Sequence, residues 1–272
     1  AVPTFRAMFQ THHAVAALVT SPLRRHRGKL LAPASSIRDV ARENDVPIFD
    51  PHDVNSDAFR IQLAQLRADL LIVCDYGQIL SAATLATARL GGVNLHGSLL
   101  PKYRGAAPIN WALFHGEQET GVSVIHMTPQ VDAGPVIAQA AIDIGPDETA
   151  AQLEPRLAEL GGWLMRRAID AVEAGRLEAM PQDQSLASRA PRLKKSDGAV
   201  NWSRSALAIK NHVRAMDPWP GCYTHWLRTR MPPVRVILGP VDIVDGHRPD
   251  AAPGTVVEVT ADRLVIAAGE GA

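Results

Sequence analysis

Two polar residues at alternating positions near the end of an apolar run, Asn94 and His96, are the pair whose types and spacing are best suited to chemistry. If 92–96 is a strand, residues i and i+2 share a face, so the two side chains project together. Asp132 follows the next apolar run, 122–127. Ligands of open α/β sheets sit beyond the carboxyl ends of strands, where a loop aspartate can reach such a pair. The trio suits acyl transfer in which the nucleophile arrives with the substrate. An α-amine, with a pKa of about 7.7 to 8.0, is partly neutral near pH 7 and needs no serine or cysteine from the protein. The Asn94 amide and a protonated His96 would donate to the oxygen that gains charge, one such donor being worth ~3 to 4 kcal/mol. Asp132 would keep His96 protonated and help remove the proton from the attacking amine. Taken singly, the same residues also suit a turn cap, a buried core histidine and a turn before Ala133-Gly134.

The elements that must position the trio follow from periodicity. Gly97 frees the backbone after the strand, Pro101 fixes φ in the loop, and Gly105 with Pro108 leads into a helix over 108–115. Apolar runs at 46–49, 70–74, 122–127 and 136–144 read as further strands. Helical spacing predicts helices over 1–11, 36–44 and around Phe59, Leu63 and Leu66. Thr149 and Gln152 form a capping box for a long helix with the stripe Leu153, Leu157, Leu160, Leu164, Ala168 and Val172. Pro155 inside it predicts a later start or a bend. Apolar strands alternating with amphipathic helices imply an α/β fold with a Rossmann-like, mostly parallel sheet covered by helices on both faces. Periodicity is lost over 180–198, a linker. Beyond it, β-rich runs at 222–227, 234–244, 255–259 and 264–267 between Pro/Gly turns predict a small OB-like β-barrel, one strand short. No strand precedes the first helix, so the chain reads as trimmed at both ends. The expected domains are 1–179, catalytic, and 199–272, C-terminal and incomplete.

Composition narrows the class. With 272 residues, 46% apolar and 21% charged, the chain is an ordinary globular protein of about two domains. No run approaches the ~18 apolar residues of a membrane span, and AVPTFRAMFQ lacks the pattern of a signal peptide. Cys74 and Cys222 are the only cysteines and form no CxxC, which argues for a cytoplasmic protein without disulfides. GxGxxG, GxxxxGK[ST], GxSxG and HExxH are absent. Apart from the adjacent pair His12 and His13, no histidine has a partner at metal-ligand spacing, and no metal is expected. Lys+Arg and Asp+Glu number 28 each, so any pull on nucleic acid must be local. Arg24, Arg25, Arg27 and Lys29 form such a patch, although a solvated loop carries similar charge.

NLHGSLLPKYRGAAP (94–108) together with VDAGPVIA (131–138) resembles the signature of the folate-dependent formyltransferases, and the resemblance extends over nearly the whole chain. It implies that Asn94, His96 and Asp132 are catalytic and that Ser98, Leu99, Leu100 and Pro101 contact the reduced folate. DYGQIL (75–80) is similar to the segment beside the pterin pocket, which implies folate contacts for Tyr76, Gly77 and Gln78, with Asp75 where the family often has alanine. The implied donor is 10-formyltetrahydrofolate. SPLRRHRGKLLAP (21–33) resembles the loop with which the methionyl-tRNA branch grips the acceptor stem, and 181–202 and DPWPGCYT resemble that branch's linker and C-terminal domain. The implied acceptor is initiator methionyl-tRNA, met by a monomer through Arg24, Arg25, Arg27 and Lys29 and by a second basic surface of Arg189, Arg192, Lys194 and Lys195. Aromatics are sparse there, so phosphate contacts are expected over base stacking. INWALFHGEQETGV and DAGPVIAQ lean instead toward the sugar-nucleotide N-formyltransferases. A formyltetrahydrofolate hydrolase and a silent RNA-binding homologue are further readings.

Overall fold

Strands and helices alternate along the chain as the apolar periodicity requires. The computed structural model describes residues 1–23, 37–175, 179–244 and 250–272, with the backbone alone at 25–26 and 29–30. In order, the elements are α1 (Val2–Met8), β1 (Leu18–Val19), α2 (Ile37–Glu43), β2 (Ile48–Phe49), α3 (Asp57–Gln65), β3 (Leu71–Val73), α4 (Ala82–Leu85) and β4 (Gly92–His96). There follow α5 (Pro108–Phe114), β5 (Glu119–His126), β6 (Val136–Asp143), α6 (Ala150–Glu173), α7 (Ala206–Ala215), β7 (Cys222–Arg228), β8 (Met231–Leu238), β9 (Val256–Val259) and β10 (Leu264–Ile266). None of the described helices is long and apolar enough to cross a membrane. Two compact units result, one of residues 1–105, 121–141 and 155–189, the other of 106–120, 142–154 and 190–272.

In the first unit β3, β4, β5 and β6 form one sheet in that order, with β3 and β4 parallel and β5 antiparallel to β4. β1 and β2 form a separate parallel pair. Helices cover both faces at β4. A Cβ added at Gly92 would meet Leu85 of α4, whereas Leu95, on the opposite face, touches Gly161 of α6. Phe59 and Leu63 of α3 are buried against Leu71 and Val73. The run 70–74 is less covered than expected, Ile72 being 39% exposed, because β3 is the edge strand of its sheet. An apolar cavity of about 790 Å³ lies between β3 and β1, lined by Met8, Leu18, Phe59, Leu63, Ile72 and Cys74 among others.

α6 is unbroken across Pro155, so the later start does not occur. Gln152 Oε1 accepts the Thr149 N–H at 3.0 Å, half of the expected box. Leu153, Leu157, Leu164 and Ala168 of the stripe are buried. Burial of each leucine contributes about 1.5 to 3 kcal/mol, which together exceeds the ~3 kcal/mol cost of an interior proline.

In the second unit α5 and α7 pack through the Phe114 and His212 rings, whose centroids lie 5.0 Å apart. The C-terminal strands form two antiparallel hairpins, β7–β8 and β9–β10, with register Cys222↔Leu238 and Val256↔Ile266. The OB-like barrel expected here, one strand short, is not seen among the described residues, where the two hairpins form separate two-stranded sheets. The strand predicted over 234–244 is displaced to Met231–Leu238, its apolar character at 241–244 not sufficing to continue the ladder beyond Gly239-Pro240.

Candidate active site

The period-two geometry of β4 sets the site. Asn94 pairs with Val73 on one side and Ile125 on the other, and His96 with Ser123. The two side chains meet one carboxylate. Asn94 Nδ2 donates to Asp132 Oδ1 at 3.3 Å, and His96 Nδ1 lies 3.4 Å from Oδ2. The Gly105 N–H donates to the same Oδ2 at 2.9 Å. On the far side of the ring, His96 Nε2 donates to the Tyr103 carbonyl at 2.9 Å. Asp132 and Tyr103 both adopt left-handed backbone, φ 50° and 63°, a conformation that costs a non-glycine residue of order 1 kcal/mol or more and is held by surrounding contacts. An amide carries two N–H donors, so Asn94 serves Asp132 with one and can present the other to an acyl oxygen.

His96 is 5% exposed. Burial draws its pKa below the ordinary value, outweighing the Asp132 carboxylate and the Tyr103 carbonyl, both of which act in the opposite sense. Desolvation of the charge thus works against the imidazolium expected from the sequence more strongly than one neighbouring carboxylate works for it. His212 is likewise lowered, chiefly by burial. Between these folded pKa values and the unfolded value of about 6.5, the unfolded chain binds protons that the native chain refuses. Stability should thus fall as pH drops below about 6.5, by up to about 1.4 kcal/mol per pH unit for each histidine. Urea midpoints at pH 7.5, 6.5 and 5.5 measure this, and His96→Gln should flatten the slope. A midpoint independent of pH would contradict the assignment.

Hydrogen bonds from outside the trio hold the Asp132 loop. Gln182 Nε2 donates to the Asp132 carbonyl at 2.8 Å and to the Gly134 carbonyl at 2.7 Å. Its Oε1 accepts from Arg104 Nε at 3.0 Å and Nη2 at 2.6 Å. A Cβ at Gly134 would lie 1.7 Å from the His126 carbonyl oxygen, so only glycine lets the loop lie against the end of β5. Gln139 Nε2 donates to the Leu100 carbonyl and to Ser123 Oγ, and Ser123 Oγ donates to the Ser98 carbonyl, fixing the turn after β4. Sequence reasoning missed Gln182 and Gln139: Gln139 ends DAGPVIAQ and Gln182 lies in the 181–202 stretch, but a neutral amide in either place carries no sign of what it bonds to. Arg104 carried a signal, its place in the motif that begins at Asn94. Gln182→Ala removes four hydrogen bonds, each worth about 1 kcal/mol, and leaves the Arg104 guanidinium, among the described residues, only its bond to Gln184 Oε1 at 2.8 Å. A Tm lower by several degrees and a roughly tenfold loss of kcat with little change in KM are expected from thermal melts and initial rates.

The remaining predicted residues are placed as follows. Tyr76, Gly77 and Gln78 form the turn after β3, with Asp75 at φ 52° and Gly77 at φ 83°. Gln78 Oε1 accepts the Val54 N–H at 3.0 Å, tying the side chain to the 51–54 loop. The Tyr76 hydroxyl is buried without a hydrogen-bond partner among the described residues, and burial, with Asp53 adding to it, raises its pKa. Ser98 is fully buried and donates to the Lys102 carbonyl at 2.6 Å, Leu100 joins Ile125 and Val136 in a core cluster, and Leu99 and Pro101 remain partly exposed. The loop cations Arg24, Arg25, Arg27 and Lys29 lie outside the described residues, except for the backbone of Arg25 and Lys29. Arg192, Lys194 and Lys195 are exposed in the second unit.

Comparison with known proteins bears on this geometry. Residues 5–169 match the family model described as formyl transferase, and 192–272 match formyl transferase, C-terminal domain. The chain is 42% identical over 249 residues to the methionyl-tRNA formyltransferase of Rhodopirellula baltica, covering 88% of this chain and 74% of that protein. It is 36% identical over 272 residues to that of Acetivibrio thermocellus, covering 100% of this chain and 86% of that one. Among solved structures, an N-formyltransferase from Helicobacter canadensis in complex with folinic acid and dTDP-3-aminofucose superimposes with a TM-score of 0.61 at 19% identity, covering 79% of this chain and 76% of that one. HypX from Aquifex aeolicus in complex with tetrahydrofolic acid gives 0.59 at 18% identity, covering 85% of this chain and 39% of that one. These two likenesses concern the fold.

Proposed function

This chain belongs to the formyl transferase family, and we propose that it transfers a formyl group from 10-formyltetrahydrofolate to the free α-amine of initiator methionyl-tRNA. The observation that carries the reading is a single carboxylate, Asp132, held 3.3 Å from the Asn94 amide and 3.4 Å from the His96 ring at the end of β4. The Asn94 amide donates to the formyl oxygen as it gains charge. The neutral His96 and Asp132 act as one acceptor for the amine proton. Burial opposes an isolated imidazolium, but a proton entering beside the carboxylate gives a neutral pair. The amine nitrogen bonds the formyl carbon, the bond from that carbon to the folate nitrogen breaks, and a proton goes to the departing nitrogen.

Tyr76, Gly77, Leu99 and Pro101 would hold the reduced folate, which when bound supplies the formyl carbon in activated form. The partnerless buried hydroxyl of Tyr76 supports this, since a heteroatom of the ligand would satisfy it. We read residues 1–179 as the folate-binding catalytic domain, 180–198 as a linker and 199–272 as an OB-like domain, the two hairpins supporting a β-rich C-terminal half. Ser188 of the linker is anchored within the first unit: its Oγ accepts the Tyr103 N–H and its carbonyl accepts the Arg104 N–H, each at 2.8 Å. The chain acts as a monomer in the cytoplasm, and the loop cations Arg24 to Lys29 bind the acceptor stem. Sugar-nucleotide formylation, folate hydrolysis and silent RNA binding are not favoured, since relatives of 36% to 42% identity are methionyl-tRNA formyltransferases while the sugar-formylating structure shares 19%.

The test is formylation of methionyl-tRNA against an amino-sugar nucleotide with the same donor at two salt concentrations. Formyl-methionyl-tRNA should form and the sugar product should not; the reverse preference would overturn the acceptor. Replacing Arg192, Lys194 and Lys195 by alanine should raise KM for the RNA and reduce its salt slope by about one per lost phosphate contact, with kcat unchanged. An unaltered salt slope would remove these cations from the interface.

A further inference from the structure

The turn after α1 meets the last turn of α6 through two adjacent imidazoles and two carboxylates. His12 Nε2 lies 2.8 Å from Glu173 Oε2, and His13 Nε2 lies 3.0 Å from Asp170 Oδ1. The two rings are 4.1 Å apart between centroids. One ligand atom from each of His12, His13 and Glu173 falls within 4.8 Å of the others. Around a tetrahedral ion with bonds of about 2.0 to 2.1 Å, ligand atoms stand about 3.4 Å apart. Small side-chain rotations therefore suffice to converge the three on a common centre.

Electrostatics favour a cation there. Asp170 and Glu173, three residues apart, share one face of α6. They occupy the negative end of the helix dipole, and no basic residue stands in that last turn. Two carboxylates at a helix C-terminus repel the dipole, and a divalent ion held beside them offsets that charge. Two nitrogen donors and one carboxylate are the donor set of zinc and its first-row neighbours rather than of magnesium or calcium. We propose that His12, His13 and Glu173 form a site for a divalent transition-metal ion of the zinc class, with Asp170 orienting His13. The fourth position takes water. None of Asn94, His96 and Asp132 belongs to this site, so its role is structural: the ion ties the α1–β1 turn to the end of α6, across 161 residues of chain.

The experiment is calorimetric titration of zinc chloride into the metal-stripped full chain at pH 7.5, with thermal melts alongside. One equivalent should bind and raise the Tm. His12→Gln and Glu173→Gln should each weaken zinc at least tenfold and abolish the Tm rise, and Asp170→Asn should weaken it about tenfold through His13. His225→Gln, an exposed histidine of the second unit, should change nothing. All these side chains except His13 are largely exposed, so the variants retain the fold. Cobalt(II) in place of zinc should give the visible absorption of a tetrahedral site. Zinc affinity within twofold of the parent in His12→Gln and Glu173→Gln, or no binding by the parent chain, or equal binding of magnesium, would overturn the proposal.

Discussion

Asp132→Asn is expected to reduce kcat by about three orders of magnitude while KM for donor and acceptor stays within a few-fold. The substitution preserves volume, so the loop braced by Gln182 and Gly134 has no steric reason to move. What changes is the sign of one hydrogen-bonding group. The two carboxylate oxygens accept from Asn94 Nδ2 and Gly105 N–H and face His96 Nδ1. An asparagine must turn an NH2 toward one of these positions, either opposing a donor or capping the imidazole nitrogen. In both cases the paired acceptor for the amine proton is lost. The wild-type pH profile should show kcat/KM rising toward pH 8 as the substrate amine deprotonates, with any histidine limb below about 6.5 because burial lowers the His96 pKa. Initial rates with circular dichroism and a melt decide the matter: a folded variant retaining kcat within tenfold would remove Asp132 from the proton path.

The second large effect is expected at Asn94. Asn94→Ala deletes one donor to the developing oxyanion and should lower kcat by about 10² to 10³, or ~3 to 4 kcal/mol. Asn94→Asp should be at least as damaging, for a different reason. It sets a second carboxylate where the amide now lies 3.3 Å from Asp132, so like charges raise one pKa of the pair and spoil its ability to take a proton at neutral pH. The two variants are separable by pH, since the alanine change leaves the profile in place while the aspartate change moves its acidic limb upward. In the double variant Asn94→Ala/Asp132→Asn the losses should fall short of their product, because the two residues serve one transition state. A single-turnover measurement with the formyl donor in excess isolates the chemical step. Wild-type turnover in Asn94→Ala would leave the oxyanion without its assigned donor.

Local periodicity was enough for much of this chain. The two-residue repeat placed Asn94 and His96 on one face, and the 3.6-residue stripe from Leu153 to Ala168 built α6. Both depend on neighbours within a few positions, which a linear chain displays. Asp132 was reachable because its loop follows β5, the partner of β4. Other outcomes turn on burial and on contacts between distant segments. The lowered pKa of His96 follows from a ring that is 5% exposed, a property of everything folded around it. Gln182 reaches Asp132 across 50 residues, and Glu173 reaches His12 across 161, so spacing along the chain gave no hint of either. The edge position of β3 and, among the described residues, two separate hairpins in place of an incomplete barrel likewise reflect which strands find partners. Short-range side-chain chemistry and chain stiffness settled which residues stand together on one strand. Desolvation and long-range convergence, which exist only after collapse, settled their protonation, their bracing and their further partners.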